Sequence, residues 1–205
     1  MIGYRIFVAT ALLIYLTACS VGGPTREAHF YVLNSLPGEA VEQTTQQPLS
    51  IGVGPVVLPE LIERPQIVTR MVANRVELNE FERWGGDLNK NVVQVLSQNL
   101  MTRLRTEQVI AYPWHRKDSP DLQVSVRFLR FDGRLGKSAD LSGVWQLYNG
   151  KQDCQLHSQT FNISTAPPSS DYAGLVAAMS AGLAQLSQFI AAQIAQQNIA
   201  CKTTP

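Results

Sequence analysis

The residues of this 205-residue chain that could carry chemistry are three cysteines, three histidines and sixteen acids, and their spacing decides which of them do. Cys19 ends the tetrad Leu16-Thr17-Ala18-Cys19. Two small residues before it let a peptidase reach the backbone there, and its thiol is a nucleophile open to covalent modification. Cys154 and Cys201 remain as an even pair. In an oxidising compartment they invite a disulfide pinning the C-terminal end to a strand; two free thiols is the alternative, because sequence does not bring two Cα atoms into bonding range. His29, His115 and His157 are far from one another, and neither His-x-x-x-His nor Cys-x-x-Cys occurs, so neither a metal nor a cofactor is expected. Gly52-Val53-Gly54 and Gly85-Gly86 lack the Lys-Ser/Thr of a phosphate loop, and no Gly-x-Ser-x-Gly elbow is present. Asp118, Asp121, Asp132 and Asp140 fall beside strands and turns, where carboxylates ordinarily solvate the chain. Only the fold could assemble a Ser–His–Asp set from such scattered residues, and the motif search points to a protein that is not an enzyme.

Two stretches have the composition of contact surfaces. Arg64-Pro65-Gln66-Ile67-Val68-Thr69-Arg70 sets two cations around a rigid proline, and Phe81-Glu82-Arg83-Trp84 places aromatic rings beside opposite charges. Arg and Trp dominate interaction hot spots, so Arg64, Arg70, Arg83 and Trp84 are the candidate partner-binding residues. The plainer alternative has Trp84 closing the first helix onto the core and the arginines pairing with Glu60, Glu63 or Glu82. For Trp84 the plainer alternative is expected; for the arginines both readings stand.

The elements that position these residues begin with a leader. Arg5 precedes an apolar run over 6–16, then come the small residues and Cys19: the charged, apolar and small-residue parts of a secretory signal. At 1.5 Å per residue the run covers about half of a ~30 Å hydrocarbon core, too little for a permanent span. The tetrad resembles the lipobox of bacterial lipoproteins, in which the cysteine is acylated and becomes the first residue of the mature chain. By the sorting rule of enteric lipoproteins, Ser20 in the following position directs it to the periplasmic face of the outer membrane. Multiple acyl chains make such attachment stable. The leader carries off Arg5, which leaves basic and acidic side chains balanced; nucleic acid is therefore not an expected partner.

The division read from this pattern is a signal peptide over 1–18, a lipidated tether over 19–28, one folded domain over 29–201 and a tail over 202–205. Strands are predicted over 29–33, 49–58, 67–71, 75–78 and 108–112. A mobile loop is predicted over 37–48, and Gly54-Pro55 implies a bulge or an edge in the second strand. Asp87 caps a helix predicted to run to about Arg105, with Leu88, Val92, Val95, Leu96, Leu100 and Leu104 as its apolar stripe. From Asp121 the period changes to two, giving a three-stranded antiparallel meander whose last turn is Asn149-Gly150. Asp171 caps a final helix striped by Tyr172, Leu175, Met179, Leu183, Leu186, Ile190 and Ile194, with an uncharged Ala-, Ser- and Gln-rich back face expected at the surface. The fold class is thus α+β: a single domain, a mostly antiparallel sheet and two long amphipathic helices packed on it.

The order Arg64-Pro65-Gln66-Ile67-Val68-Thr69-Arg70, Asn74-Arg75-Val76, Phe81-Glu82-Arg83-Trp84 and then Val95-Leu96-Ser97-Gln98-Asn99-Leu100 resembles the ABC-type transport auxiliary lipoproteins of the PqiC (YmbA) type. Phe30-Tyr31-Val32-Leu33 is similar to that family's opening Tyr-x-Leu strand; Gly85-Gly86 departs from it. The resemblance implies an outer-membrane auxiliary component of an intermembrane lipid transport system. Its implied partners are a periplasm-spanning MCE-domain protein and the inner-membrane component of that system, met by a homo-oligomeric ring. The competing expectation is an envelope lipoprotein that binds or regulates the cell-wall (peptidoglycan) synthesis machinery. The lipobox reading makes a direct prediction. Protein extracted from membranes should have an intact mass that starts at Cys19 and includes acyl groups, and Cys19→Ser should remove both the acyl mass and the outer-membrane fractionation.

Overall fold

Strand β6 (Leu122–Arg134) is the spine of the molecule, and it has three neighbours. The computed structural model describes residues 26–36, 38–42, 49–196 and 201. Along one edge β6 pairs over its whole length with β7 (Ser138–Asn149), which pairs in turn with β8 (Cys154–Thr165). These long ladders are antiparallel and form the predicted meander. The other edge of β6 is shared. Its first half runs parallel to β2 (Ile51–Val57), which carries the short β5 (Val109–Ala111) on its far side. Its last turn of chain meets β3 (Gln66–Val72) through the pair Thr69–Gly133, and β3 leads on to β4 (Arg75–Trp84) and β1 (His29–Tyr31). The result is an open, mixed, eight-stranded sheet in a single α+β domain, antiparallel along its long ladders and parallel along its short ones.

A bulge makes the shared edge possible. Between Phe128, opposite Gly143, and Arg130, opposite Ser142, the register of β6 skips Leu129. The strict alternation that buries Leu122, Val124, Val126 and Phe128 is thereby reset, so that Phe131 returns to the core while Leu129 stays exposed. Phe128 stacks edge-on against Phe131 and Phe161 at centroid distances of 5.2 and 5.5 Å. Gly143 is needed opposite the bulge, because a Cβ there would overlap the Arg127 carbonyl.

The reset also aligns polar side chains across four neighbouring strands. Asp132, 3% exposed, accepts from Arg70 Nη2 at 2.5 Å and from Arg130 Nε at 2.7 Å. Arg130 Nη2 reaches Asp140 at 2.8 Å, and Asp140 accepts from Ser164 at 2.7 Å and Ser138 at 3.1 Å. This ladder ties the β3–β4 arm to the meander where the backbone contributes little pairing of its own. It also holds the Arg70 guanidinium above its usual range, through the hydrogen bond to Asp132.

Both helices pack on the opposite, apolar face. Asp87 caps α1 (Leu88–Leu104) by accepting from the Lys90 amide at 3.0 Å, and Arg105 closes it in the left-handed region with φ 48°. Asp171 caps α2 (Tyr172–Gln196) at the Gly174 amide, 2.8 Å away. Every predicted stripe residue of the two helices is buried except Tyr172, which is half-buried against the core at the start of α2. The back face of α2 differs from expectation: Gly174, Ala178, Ser180, Gly182, Ala184, Ser187 and Ala191 are buried as well. These small residues admit close neighbours; a Cβ at Gly182 would stand 3.0 Å from Leu141. The helix has a mean hydropathy of 1.5 over an 18-residue window, high enough for a membrane span, yet 67% of that window is buried inside the domain.

Three other boundaries depart from the sequence reading. Strand β4 runs on to Trp84 instead of ending near Leu78, because β1 pairs with its second half. At Asn149-Gly150 the loop is longer than a two-residue turn: residues 150–153 intervene, and Asp153 rather than Gly150 takes a positive φ, 52°. The Gly54-Pro55 bulge is present, but β2 lies between β5 and β6 instead of at an edge. Cys154 and Cys201 are joined by a disulfide with Cα atoms 6.1 Å apart, tying the chain beyond α2 to the start of β8.

Asp132→Ala would leave two guanidiniums without their shared carboxylate, and breaking a buried pair in this way costs about 3–5 kcal/mol. Equilibrium denaturation is expected to show a loss of that size, with Arg70→Ala losing less because Arg130 still neutralises Asp132.

Candidate functional site

Of the four sequence candidates, the structure brings two into one place. The 3-10 turn Glu60–Ile62 and the strand β3 that follows bring Glu63-Arg64-Pro65 against the end of β4, where the Trp84 amide donates to the Pro65 carbonyl at 2.7 Å. On the other side the Gly85 amide donates to Tyr31 at 2.8 Å. Between these attachments lies an open cleft of about 680 Å³, walled by Phe30, Leu58, Arg64, Pro65, Trp84 and the start of α1. Trp84 is 6% exposed and closes the cleft floor onto the core, as the plainer reading of that residue held. The Arg64 side chain is half-buried, and its Nε is buried without a hydrogen-bond partner.

The other two candidates are elsewhere. Arg70 belongs to the Asp132 ladder. Arg83 follows Glu82 and precedes Trp84, so it projects from the opposite face of β4, in register with Phe30 of β1 and Gln66 of β3. Among the described residues none of the three arginines pairs with Glu60, Glu63 or Glu82, so the pairing alternative left open for them does not hold. Cys19, the candidate for lipidation, lies outside the described residues. Among the described residues no group of three or more His, Cys, Asp or Glu is arranged to hold a metal.

Glu82 is taken by the first strand. It accepts from the Tyr31 hydroxyl at 2.6 Å and lies 3.1 Å from His29 Nδ1. Burial acts to raise the Glu82 carboxyl, but those two contacts outweigh it and hold the group below the usual glutamate range. Burial, reinforced by the same hydrogen bond, pushes the Tyr31 phenol up to about 12. These contacts hold short β1 on β4, and with it the wall of the cleft that carries Phe30.

Sequence reasoning missed how the chain after β1 is held. Residues 33–36 and 38–41 lie along the helices without strand pairing, and groups on the two helices supply hydrogen bonds to them. Asn91 spans Leu33, accepting from its amide at 2.7 Å and donating to its carbonyl at 3.1 Å. Asn99 accepts from the Leu36 amide at 3.1 Å, Ser180 from the Asn34 amide at 3.2 Å, and the Arg103 carbonyl from the Val41 amide at 2.9 Å. The segment from 38 to 42 is therefore tied down, against the mobile loop expected over 37–48; residue 37 and residues 43–48 lie outside the described residues. Beneath it Arg103, 6% exposed, is held below its usual range by burial, in the last turn of α1 where a cation complements the helix dipole. The available signal was Asn91 and Asn99, poor helix formers eight residues apart on one face of a helix.

The sequence model of a family described as the ABC-type transport auxiliary lipoprotein component matches residues 31–191. No curated protein matches the sequence. Among solved structures, an uncharacterised protein is 20% identical, covers 82% of this chain and 99% of its own, and superposes with a TM-score of 0.67. A protein from Xanthomonas campestris assigned to family DUF330 is 15% identical, with coverages of 80% and 93% and a TM-score of 0.68. At these identities the two structures corroborate the fold.

The Tyr31–Glu82 contact predicts a pH dependence. Because the folded Glu82 value is depressed, its contribution is complete above the ordinary glutamate range and is lost as pH falls through the folded value. Because the folded Tyr31 value is raised, its contribution is complete below pH 10, the ordinary tyrosine value, and is lost as pH rises through about 12. Tyr31→Phe is expected to cost about 1.5 kcal/mol near neutral pH. Melting temperatures measured against pH should show parent and variant converging at both extremes.

Proposed function

Because the chain belongs to the ABC-type transport auxiliary lipoprotein component family, we propose that it is a non-catalytic, lipid-anchored adaptor at the outer membrane. In this reading acylated Cys19 holds the domain on the periplasmic face. There it docks the far end of a periplasm-spanning MCE-domain protein whose other end meets an inner-membrane transport component. The family match over residues 31–191 carries the reading, since it takes in nearly all of the folded body. Three features agree with it: the lipobox tetrad, Ser20 after the cysteine, and polar clusters already engaged in holding the sheet together. Asp132, Asp140 and Glu82 each meet a basic or hydroxyl partner inside the fold. A conduit end has rotational symmetry, so the adaptor is proposed to act as a homo-oligomeric ring.

The experiment is affinity purification of the acylated protein in mild detergent after cross-linking. An MCE-domain protein in near-stoichiometric amount is the expected co-purifying species. Recovery of peptidoglycan synthases with no MCE-domain protein would overturn the proposal.

A further inference from the structure

The described chain begins at Arg26, whose guanidinium carbon lies 5.9 Å from the centroid of the Phe81 ring on β4. From Cys19 to Arg26 the chain spans at most about 25 Å when fully extended. An acylated Cys19, which is part of the function proposed above, therefore keeps the β1 corner of the sheet close to the bilayer whatever path the tether takes.

That corner is apolar. Phe30 is 66% exposed and Val32 53%, whereas Tyr31 between them turns towards Tyr172 of α2. Strand alternation thus gives Phe30 and Val32 the face away from the core. Leu61, 39% exposed, stands on the 3-10 turn leading into the Arg64-Pro65 wall of the cleft that Phe30 also lines. Two cations flank these side chains: Arg83 in register with Phe30, and Arg64 in the cleft, neither with an ion pair among the described residues. Glu63 and Asp87 share the cleft, and Asp87 is occupied in capping α1. The attraction to a surface therefore rests mainly on the apolar side chains. An exposed aromatic and two aliphatics with cations beside them fit the boundary between headgroups and acyl chains.

We propose that Phe30, Val32 and Leu61 form a membrane-contact face, laying the domain on the bilayer that holds its anchor, with Arg64 and Arg83 at the lipid phosphates. The face fixes the orientation of the body, which a flexible tether alone would leave free. It also directs the opposite end of the molecule into the periplasm.

The test uses the full-length acylated protein in vesicles of phosphatidylethanolamine and phosphatidylglycerol containing brominated acyl chains. Phe30→Cys, Val32→Cys, Leu61→Cys and, on β8 at the far edge of the sheet, Ser158→Cys are each labelled with a small fluorophore. Only variants that keep the parent's unfolding transition are compared, and three contact positions guard against the failure of any one. Quenching at 30, 32 and 61 is expected to exceed that at 158 by at least about fivefold, the contrast between insertion at the acyl boundary and exposure to water. Equal quenching on protein whose mass shows acylated Cys19 overturns this face and leaves the anchor standing. An unmodified Cys19 overturns the anchor and this face together.

Discussion

One carboxylate, Asp132, sits between two guanidiniums at the one point where, among the described residues, the two arms of the sheet touch through strand pairing. Strand β6 has two edges but three partners, so β2 and β3 divide one edge between them, and β3 receives a single backbone pair, Thr69–Gly133. A link that slight cannot by itself keep β3, β4 and β1 in place. The side-chain ladder from Arg70 through Asp132 and Arg130 to Asp140 supplies the rest. It exists because the bulge at Leu129 shifts the alternation by one residue and turns Arg130 and Asp132 outward together. Without that shift Phe131 would leave the core and the acid would enter it.

The positions of Phe30, Pro65 and Trp84 in the candidate site depend on that arm. The arm carries β4, whose Glu82 holds Tyr31 and so retains a β1 of three residues. Strand β1 in turn brings Phe30 and Val32 to the surface and hands the chain to Asn91 and Asn99, which guide it along α1. The path of the chain from β1 onto the helices is thus fixed by polar contacts, one after another, while the aliphatic residues fill the space between sheet and helices. A body whose first strand is held at a defined corner is compatible with a family that is auxiliary to transport.

Local patterns were legible along the chain. Asp87 and Asp171 cap helices because a short carboxylate satisfies the first free amides wherever such a helix starts. The stripes of α1 and α2 and the alternation from Leu122 to Phe128 show their period without reference to any partner. The disulfide between Cys154 and Cys201 was open in the sequence, since composition gives an even number of thiols but no distance. Of the candidate contact residues, Trp84 was read as a core-closing ring, while the arginines separated: Arg64 went to the cleft, Arg70 to the ladder and Arg83 to the far face of β4.

By itself, then, the amino-acid order determined what depends on neighbours within a turn or two: caps, stripes, the meander and the α+β class. Tertiary structure alone decided the shared edge of β6, the burial of the small-residue face of α2, and the partners of Arg70, Glu82 and Leu33. Arg70 is 62 positions from Asp132, Glu82 is 51 from Tyr31, and Leu33 is 58 from Asn91. The physical reason is that hydrogen bonds and ion pairs act over a few ångströms. At such separations a side chain's type states what it can bind, and only the path of the backbone states what it meets.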